Sequence, residues 1–169
     1  MKKIAIFVDE IYEDLELWYP KIRLEEAGAE TIVIGGKKDH FYMGKHGYPC
    51  QSQKSFDQAN AADLDGIVIP GGYAPDKIRR IGKAIDLVKQ MHAAEKMIAF
   101  ICHGGWVPIS AKVLKEVQVT GTDAIKDDLE NAGAIWNDKE LVVDGHFISS
   151  RNPGDLPAFG KAIVDFLGL

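Results

Sequence analysis

The sequence predicts an α/β fold in which a mostly parallel sheet is covered by helices on both faces. Three observations carry that expectation. Short β-branched apolar runs recur along the chain, stretches of helical spacing alternate with them, and glycine or acidic residues mark the joints. With 169 residues, of which 46% are apolar and 27% charged, the chain has material for one core and a solvated surface, so a single domain over residues 1–169 is expected.

The elements follow in order. KIAIFVD (residues 3–9) is a short apolar run ending in acid, as expected of a central parallel strand. Residues 14–27 carry Leu15, Trp18, Ile22, Leu24 and Ala27 at roughly helical spacing, with Gly28 as the C-cap. Pro20 requires either a kink or a later start to that helix. TIVIG (31–35) is the second strand. Residues 36–56 lack a clear period and suggest a hairpin or long surface loop, and GIVIPGG (66–72) is a buried strand running into a glycine turn.

Helical spacing resumes over 81–96, where Ile81, Ile85, Val88, Met91 and Ala94 share one side. MIAFI (97–101) is the next strand, and Cys102 follows it directly. A helix is expected over 104–113, a strand in VQVTG (117–121), a helix over 124–134, and a hairpin from ELVVDG and FISSR. Asp155 as N-cap and Pro157 in the first turn announce the last helix, which runs to Leu167. No linker, internal repeat or low-complexity run interrupts the alternation.

Composition excludes several function classes. Twenty basic against twenty-five acidic side chains give a formal charge of −5, with no phosphate-tracking stripe, so nucleic acid is not expected as a partner. The apolar run at 4–8 is too short for a signal-peptide core or a membrane span. Two cysteines, Cys50 and Cys102, cannot build a disulfide framework and suit a reducing compartment, so a cytoplasmic protein without membrane contact is expected. There is no G-x-G-x-x-G, and none of the Gly-Lys pairs at 36, 44, 82 and 160 precedes Ser or Thr. Neither C-x-x-C nor H-E-x-x-H occurs, so neither a cofactor nor a metal is expected.

The informative stretch is AFICHGGWVPISA (99–111). A buried strand ends at Ile101 and a helix is expected from about Gly104, which sets Cys102 in a sharp strand-to-helix turn of the kind that presents a nucleophile. Gly104 and Gly105 let the backbone turn closely, and a helix N-terminus beside the sulfur would favour thiolate and hold an oxyanion. The alternative for Cys102 is a buried core cysteine, which is common at strand ends.

Cys-His-Gly after an apolar strand, Ile-Pro-Gly-Gly-Tyr-Ala-Pro-Asp and Gly-Lys-His-Gly together resemble the PfpI-type intracellular cysteine proteases of the ThiJ/PfpI superfamily. Residues 12–28, 125–134 and 142–159 extend the resemblance over nearly the whole chain. It implies a flavodoxin-like sandwich, related to class I glutamine amidotransferases, with a nucleophile elbow after a central strand. By position it makes Cys102 the nucleophile, His103 the catalytic histidine and Glu13 the acid whose side chain lies against the sulfur. Gly72 and the turn after Cys102, with Gly104, take the oxyanion side. Asp76 takes the place of a triad acid supplied by a neighbouring subunit, which implies a homo-oligomer, dimer or hexamer. Asp replaces Glu there and shortens the reach by about 1.5 Å, the scale of a hydrogen-bond tolerance. Read by position alone, Glu13 would be a first-turn acid and Asp76 an N-cap after Pro75. Gly105-Trp106 and Thr122-Asp123 depart from the family pattern near the pocket, and Cys50 matches nothing catalytic.

Three functions fit this reading. The first is a cysteine hydrolase in which Cys102 attacks an acyl or carbonyl carbon of a peptide or small-molecule substrate, with His103 as base. The second is a glyoxalase- or deglycase-type enzyme using Cys102 and Glu13 on oxoaldehydes or glycated adducts. The third is a stress-response protein that senses oxidation through Cys102. A glutamine amidotransferase is disfavoured, because His146, the one histidine after the elbow, is followed by Phe147 and Ile148 where that triad needs His-x-Glu.

Overall fold

In the computed structural model, which describes Met1–Leu169, the apolar runs form the centre of a seven-stranded sheet. β1 (Lys3–Phe7) leads through α1 (Asp14–Glu26) to β2 (Glu30–Gly35). β3 (Phe41–Met43) and β4 (Pro49–Gln51) pair as a separate antiparallel hairpin, and β5 (Lys54–Ser55) joins the sheet edge beside β2. β6 (Gly66–Ile69), α2 (Ala74–Ile78), α3 (Gly82–Ala93), β7 (Met97–Ile101) and α4 (Trp106–Ser110) follow. β8 (Gln118–Val119), α5 (Lys126–Asn131) and β9 (Ile135–Trp136) precede the hairpin of β10 (Val142–Asp144) and β11 (Phe147–Ser150), and α6 (Leu156–Leu167) ends the chain.

The sheet order is β10-β11-β7-β6-β1-β2-β5, parallel throughout except for the edge strand β10. The reason lies in the residues. Every position of β6 and β7, and Ile4 to Phe7 of β1, is buried, so these strands must be covered on both faces. The helices supply that cover, and a single cluster of 45 buried residues runs through both layers. No helix is long and apolar enough to cross a membrane.

Three local expectations change. The helix expected over 104–113 is a 3-10 turn at Cys102–Gly105 followed by the five-residue α4. Two glycines are poor helix formers, Pro108 cannot donate, and Lys112 turns left-handed at φ 58°. The strand expected at 117–121 shrinks to β8, which pairs with the unforeseen β9 outside the main sheet. Asp155 stands at the N-cap of α6 without capping it, because its carboxylate is held by the Arg151 guanidinium at 2.9 Å and 3.0 Å.

Candidate active site

The chain leaves β1 for β2 on one side and returns to β6 on the other. The crevice at their carboxyl ends is therefore a topological switch point, where open α/β sheets bind ligands. Three segments meet there: the loop from β1 into α1, the glycines after β6, and the turn after β7.

Cys102 occupies that last turn at φ 59°, a left-handed conformation that a side-chain-bearing residue adopts at a cost of about 1–3 kcal/mol. Neighbouring glycines make the tight turn possible. A Cβ on Gly104 would come 2.4 Å from the Ile69 carbonyl oxygen, and one on Gly71 would come 2.8 Å from Cys102 Cβ. His103 Nδ1 lies 3.3 Å from Cys102 Sγ, and the Trp106 ring meets the imidazole edge-on at 5.1 Å between centroids. Burial, followed by the nearby Lys45 charge, lowers the His103 pKa, so the ring is uncharged at neutral pH and able to accept a proton.

The carboxyl against the sulfur belongs to Glu16, not to Glu13, which corrects the assignment made from the resemblance. Glu16 is fully buried in the first turn of α1, and its Oε2 accepts the Gly71 N–H at 2.7 Å. Its Oε1 has no hydrogen-bond partner, and the carboxyl stands near enough to Cys102 for each group to shift the other's titration. Glu13 stands one turn earlier as the N-cap of α1, where it accepts the Glu16 N–H at 2.8 Å. Its other oxygen faces His46 Nε2 at 3.7 Å. Glu13 thus caps the turn that carries Glu16.

The electrostatics also depart from expectation. Burial, and then repulsion from Glu13, push the Glu16 carboxyl up to about 8, so it holds its proton at neutral pH. Burial, and then the Glu16 charge, push the Cys102 thiol up to about 12. The His103 backbone N–H opposes that shift without reversing it. The anticipated helix-end stabilisation of a thiolate is outweighed, because a single 3-10 turn and a five-residue helix carry little dipole while burial is severe. The sulfur is therefore a thiol that needs a base, and His103 is in place to act as one.

Glu13, Glu16, Gly72, Cys102, His103 and Trp106 line a cavity of about 310 Å³, with Lys45 and His46 at its edge. Asp14 fastens that edge by accepting the N–H groups of His46 at 2.8 Å and Tyr48 at 3.0 Å. A Cβ on Gly44 would strike Asp14 Oδ1 at 2.3 Å, which explains the glycine that opens Gly-Lys-His-Gly. Gly72 sits at φ 78° and donates to no backbone carbonyl, so its N–H is free to meet an oxyanion. A Cβ there would lie 2.4 Å from the Ile11 carbonyl oxygen. Gly72→Ala is expected to lower stability by about 2–3 kcal/mol from left-handed strain and the clash, measurable as a shifted denaturant midpoint. An unchanged midpoint would show that the turn relaxes freely.

A family model described as DJ-1/PfpI matches residues 2–166. The chain belongs to the DJ-1/PfpI family. It is 43% identical over 165 residues to a protein named as a deglycase from Thermococcus kodakarensis, covering 98% of this chain and 99% of that one. A Bacillus subtilis protein, YraA, provisionally named a cysteine protease, is 36% identical over 166 residues and 98% of both chains. The crystal structure of a two-domain protein from Anabaena variabilis, with DJ-1/ThiJ/PfpI-like and ferritin-like domains, superposes with a TM-score of 0.98 at 41% identity. That match covers 99% of this chain and 48% of the longer one. The α/β sandwich and the resemblance read from the sequence are thereby established.

Other residues singled out in this DJ-1/PfpI chain fall elsewhere. Asp76 is on the surface of α2, outside the cavity, and its carboxylate pairs with Arg80 at 2.9 Å. It is in the first helical turn rather than at the N-cap, a position taken by Tyr73. Cys50 is buried in the core, where burial raises its thiol pKa to about 11. Of the departures from the family pattern, Trp106 forms a cavity wall, and the Thr122 N–H donates to the Cys102 carbonyl at 3.4 Å. The donor atoms of Glu13, Asp14 and His46 lie within 4.8 Å of one another, but both Asp14 oxygens already serve backbone amides.

Proposed function

We propose that the chain is a deglycase-type cysteine enzyme that acts on small oxoaldehydes or their adducts. The observation that carries this reading is the Cys102 thiol set in a strained elbow between neutral His103 and protonated Glu16, at a cavity of about 310 Å³. A space at the lower end of the range for ligand sites admits the reacting end of a small carbonyl compound more readily than an extended peptide. The deglycase names of the similar Thermococcus and Pyrococcus proteins support the same class.

In the proposed reaction His103 Nδ1 accepts the Cys102 proton as Sγ adds to the carbonyl carbon. The carbonyl oxygen becomes an oxyanion beside the Gly72 N–H and the amides of the elbow. Glu16 stays protonated, so it places no charge beside the attacking sulfur. The same parts would serve acyl transfer, and the YraA name favours peptide hydrolysis as the second reading. Redox sensing has less support, because a thiol pushed up by burial offers little thiolate to an oxidant. As part of the proposal, Asp76 of a neighbouring copy orients His103 in a homo-oligomer.

The deciding experiment compares rates on methylglyoxal, a methylglyoxal-treated N-acetylcysteine adduct and a fluorogenic peptide, for wild type and Asp76→Asn. Faster turnover of the aldehyde or the adduct is expected, with a slower Asp76→Asn enzyme. Peptide turnover alone would transfer the site to the protease reading. A monomeric mass in gel filtration would remove Asp76 from the reaction.

A further inference from the structure

A second cavity lies beyond Trp106. This open groove of about 610 Å³ is lined by Arg79, Trp106, Lys112, Lys115, Asp128 and Asn131, and Trp106 is a wall of both spaces. Its indole is fixed on several sides. The imidazole of His103 meets it edge-on, the Arg79 guanidinium stands 5.5 Å from its centroid, and Nε1 donates to Asp128 Oδ2 at 2.9 Å.

The charges in the groove are unbalanced. Arg79 donates through Nε to Ser110 Oγ at 2.9 Å, which leaves the rest of its fork without an acceptor in the protein. None of Arg79, Lys112 and Lys115 enters an ion pair, although eleven such pairs form elsewhere in the chain. The one carboxylate present, Asp128, is engaged by the indole. Lys112 holds a left-handed backbone that glycine would adopt at lower cost. Three cations thus face a single carboxylate beside the site, a local excess of positive charge in a chain whose net charge is −5.

We infer that this groove is a specificity subsite for an anionic group, carboxylate or phosphate, on the part of the substrate that does not react at Cys102. The inference rests on the proposed reading of Cys102: Trp106 lines both spaces, so a substrate group that leaves the catalytic cavity on that side meets the groove. An arginine fork with two flanking ammonium groups suits a carboxylate or phosphate, and Trp106 sets the distance between that anion and the reacting carbon.

The test measures dissociation constants by calorimetry on Cys102→Ala protein, so that nothing turns over. One probe pair is a glutamate-containing acetylated dipeptide and its glutamine counterpart, and the other is glyceraldehyde phosphate and glyceraldehyde. In one pair the anionic member is expected to bind at least about tenfold tighter, as a charge-assisted contact gives. The pair that shows the preference identifies carboxylate or phosphate as the source. Adding Lys112→Glu and Lys115→Glu should abolish the preference, whereas Lys139→Glu, which alters net charge elsewhere, should preserve it. No preference in either pair, or one that survives the double reversal, overturns the subsite. Wild-type turnover of the two aldehydes is measured alongside. If turnover is absent while the charge preference persists, the reaction at Cys102 is removed and the groove stands.

Discussion

Cys102→Ala should lower kcat/KM on the preferred carbonyl substrate by at least about 10³-fold while the protein stays folded, because a covalent route loses its only attacking atom. The backbone supports this substitution. Alanine meets the same left-handed cost as cysteine at φ 59° and adds no atom to the turn. Cys50→Ala is the matched control. That thiol is buried in the core away from the cavity, so its loss should affect stability and leave the rate near wild type. His103→Ala should cost about 10²-fold, the usual scale for one positioned base. Because the base acts as a neutral imidazole, the wild-type rate should fall on acidification as the ring takes a proton, below its ordinary range. An alanine enzyme with the wild-type rate would exclude the nucleophile and with it the reaction.

Much of the architecture behind that experiment is legible in the sequence. Fully apolar runs such as 4–7 and 97–101 read as central strands, and a Gly-Gly pair separated from the second by two residues implies a close turn. The acid at the sulfur was missed for a physical reason. Counting apolar residues in α1 puts Leu15, Trp18 and Ile22 on the inner face, yet Leu15 and Ile22 are each 57% exposed while Glu16 is fully buried. The real inner face holds Glu13, Glu16, Pro20 and Leu24, at steps of three or four, with Asp14 and Leu17 beside them. Leu24 was the available signal, because two steps of four residues back from it, through Pro20, reach Glu16. The thiol's direction of shift was not legible, because it depends on a carboxyl and a burial that only the tertiary packing brings together.

That buried carboxyl leads to the second large expectation, a stability that falls as pH rises through the neutral range. In the unfolded chain Glu16 titrates near its ordinary value of 4.5, whereas in the folded chain burial holds the proton to about 8. Between those limits the folded state binds more protons than the unfolded state. Linkage then requires stability to be fully present below the lower value and to decline by up to ~1.4 kcal/mol per pH unit until the upper one is passed. The total from this one group is on the order of 5 kcal/mol, a large share of a domain's net stability. Other shifted groups contribute, Asp9 in the same sense and Glu25 in the opposite one, so the measurement is a difference. Denaturant midpoints are compared between wild type and Glu16→Gln from acid to mildly alkaline pH. The amide keeps the Gly71 contact and has no proton to lose, so its curve should be flatter and should cross above wild type toward alkaline pH. Parallel curves would mean that Glu16 ionises as an exposed acid does, which would also remove the protonated neighbour from the sulfur. A carboxyl placed where it opposes stability at working pH is hard to explain by packing, since leucine or glutamine would fill α1 at lower cost. Under the proposed reaction its position beside Cys102 supplies the explanation, a proton kept near the sulfur.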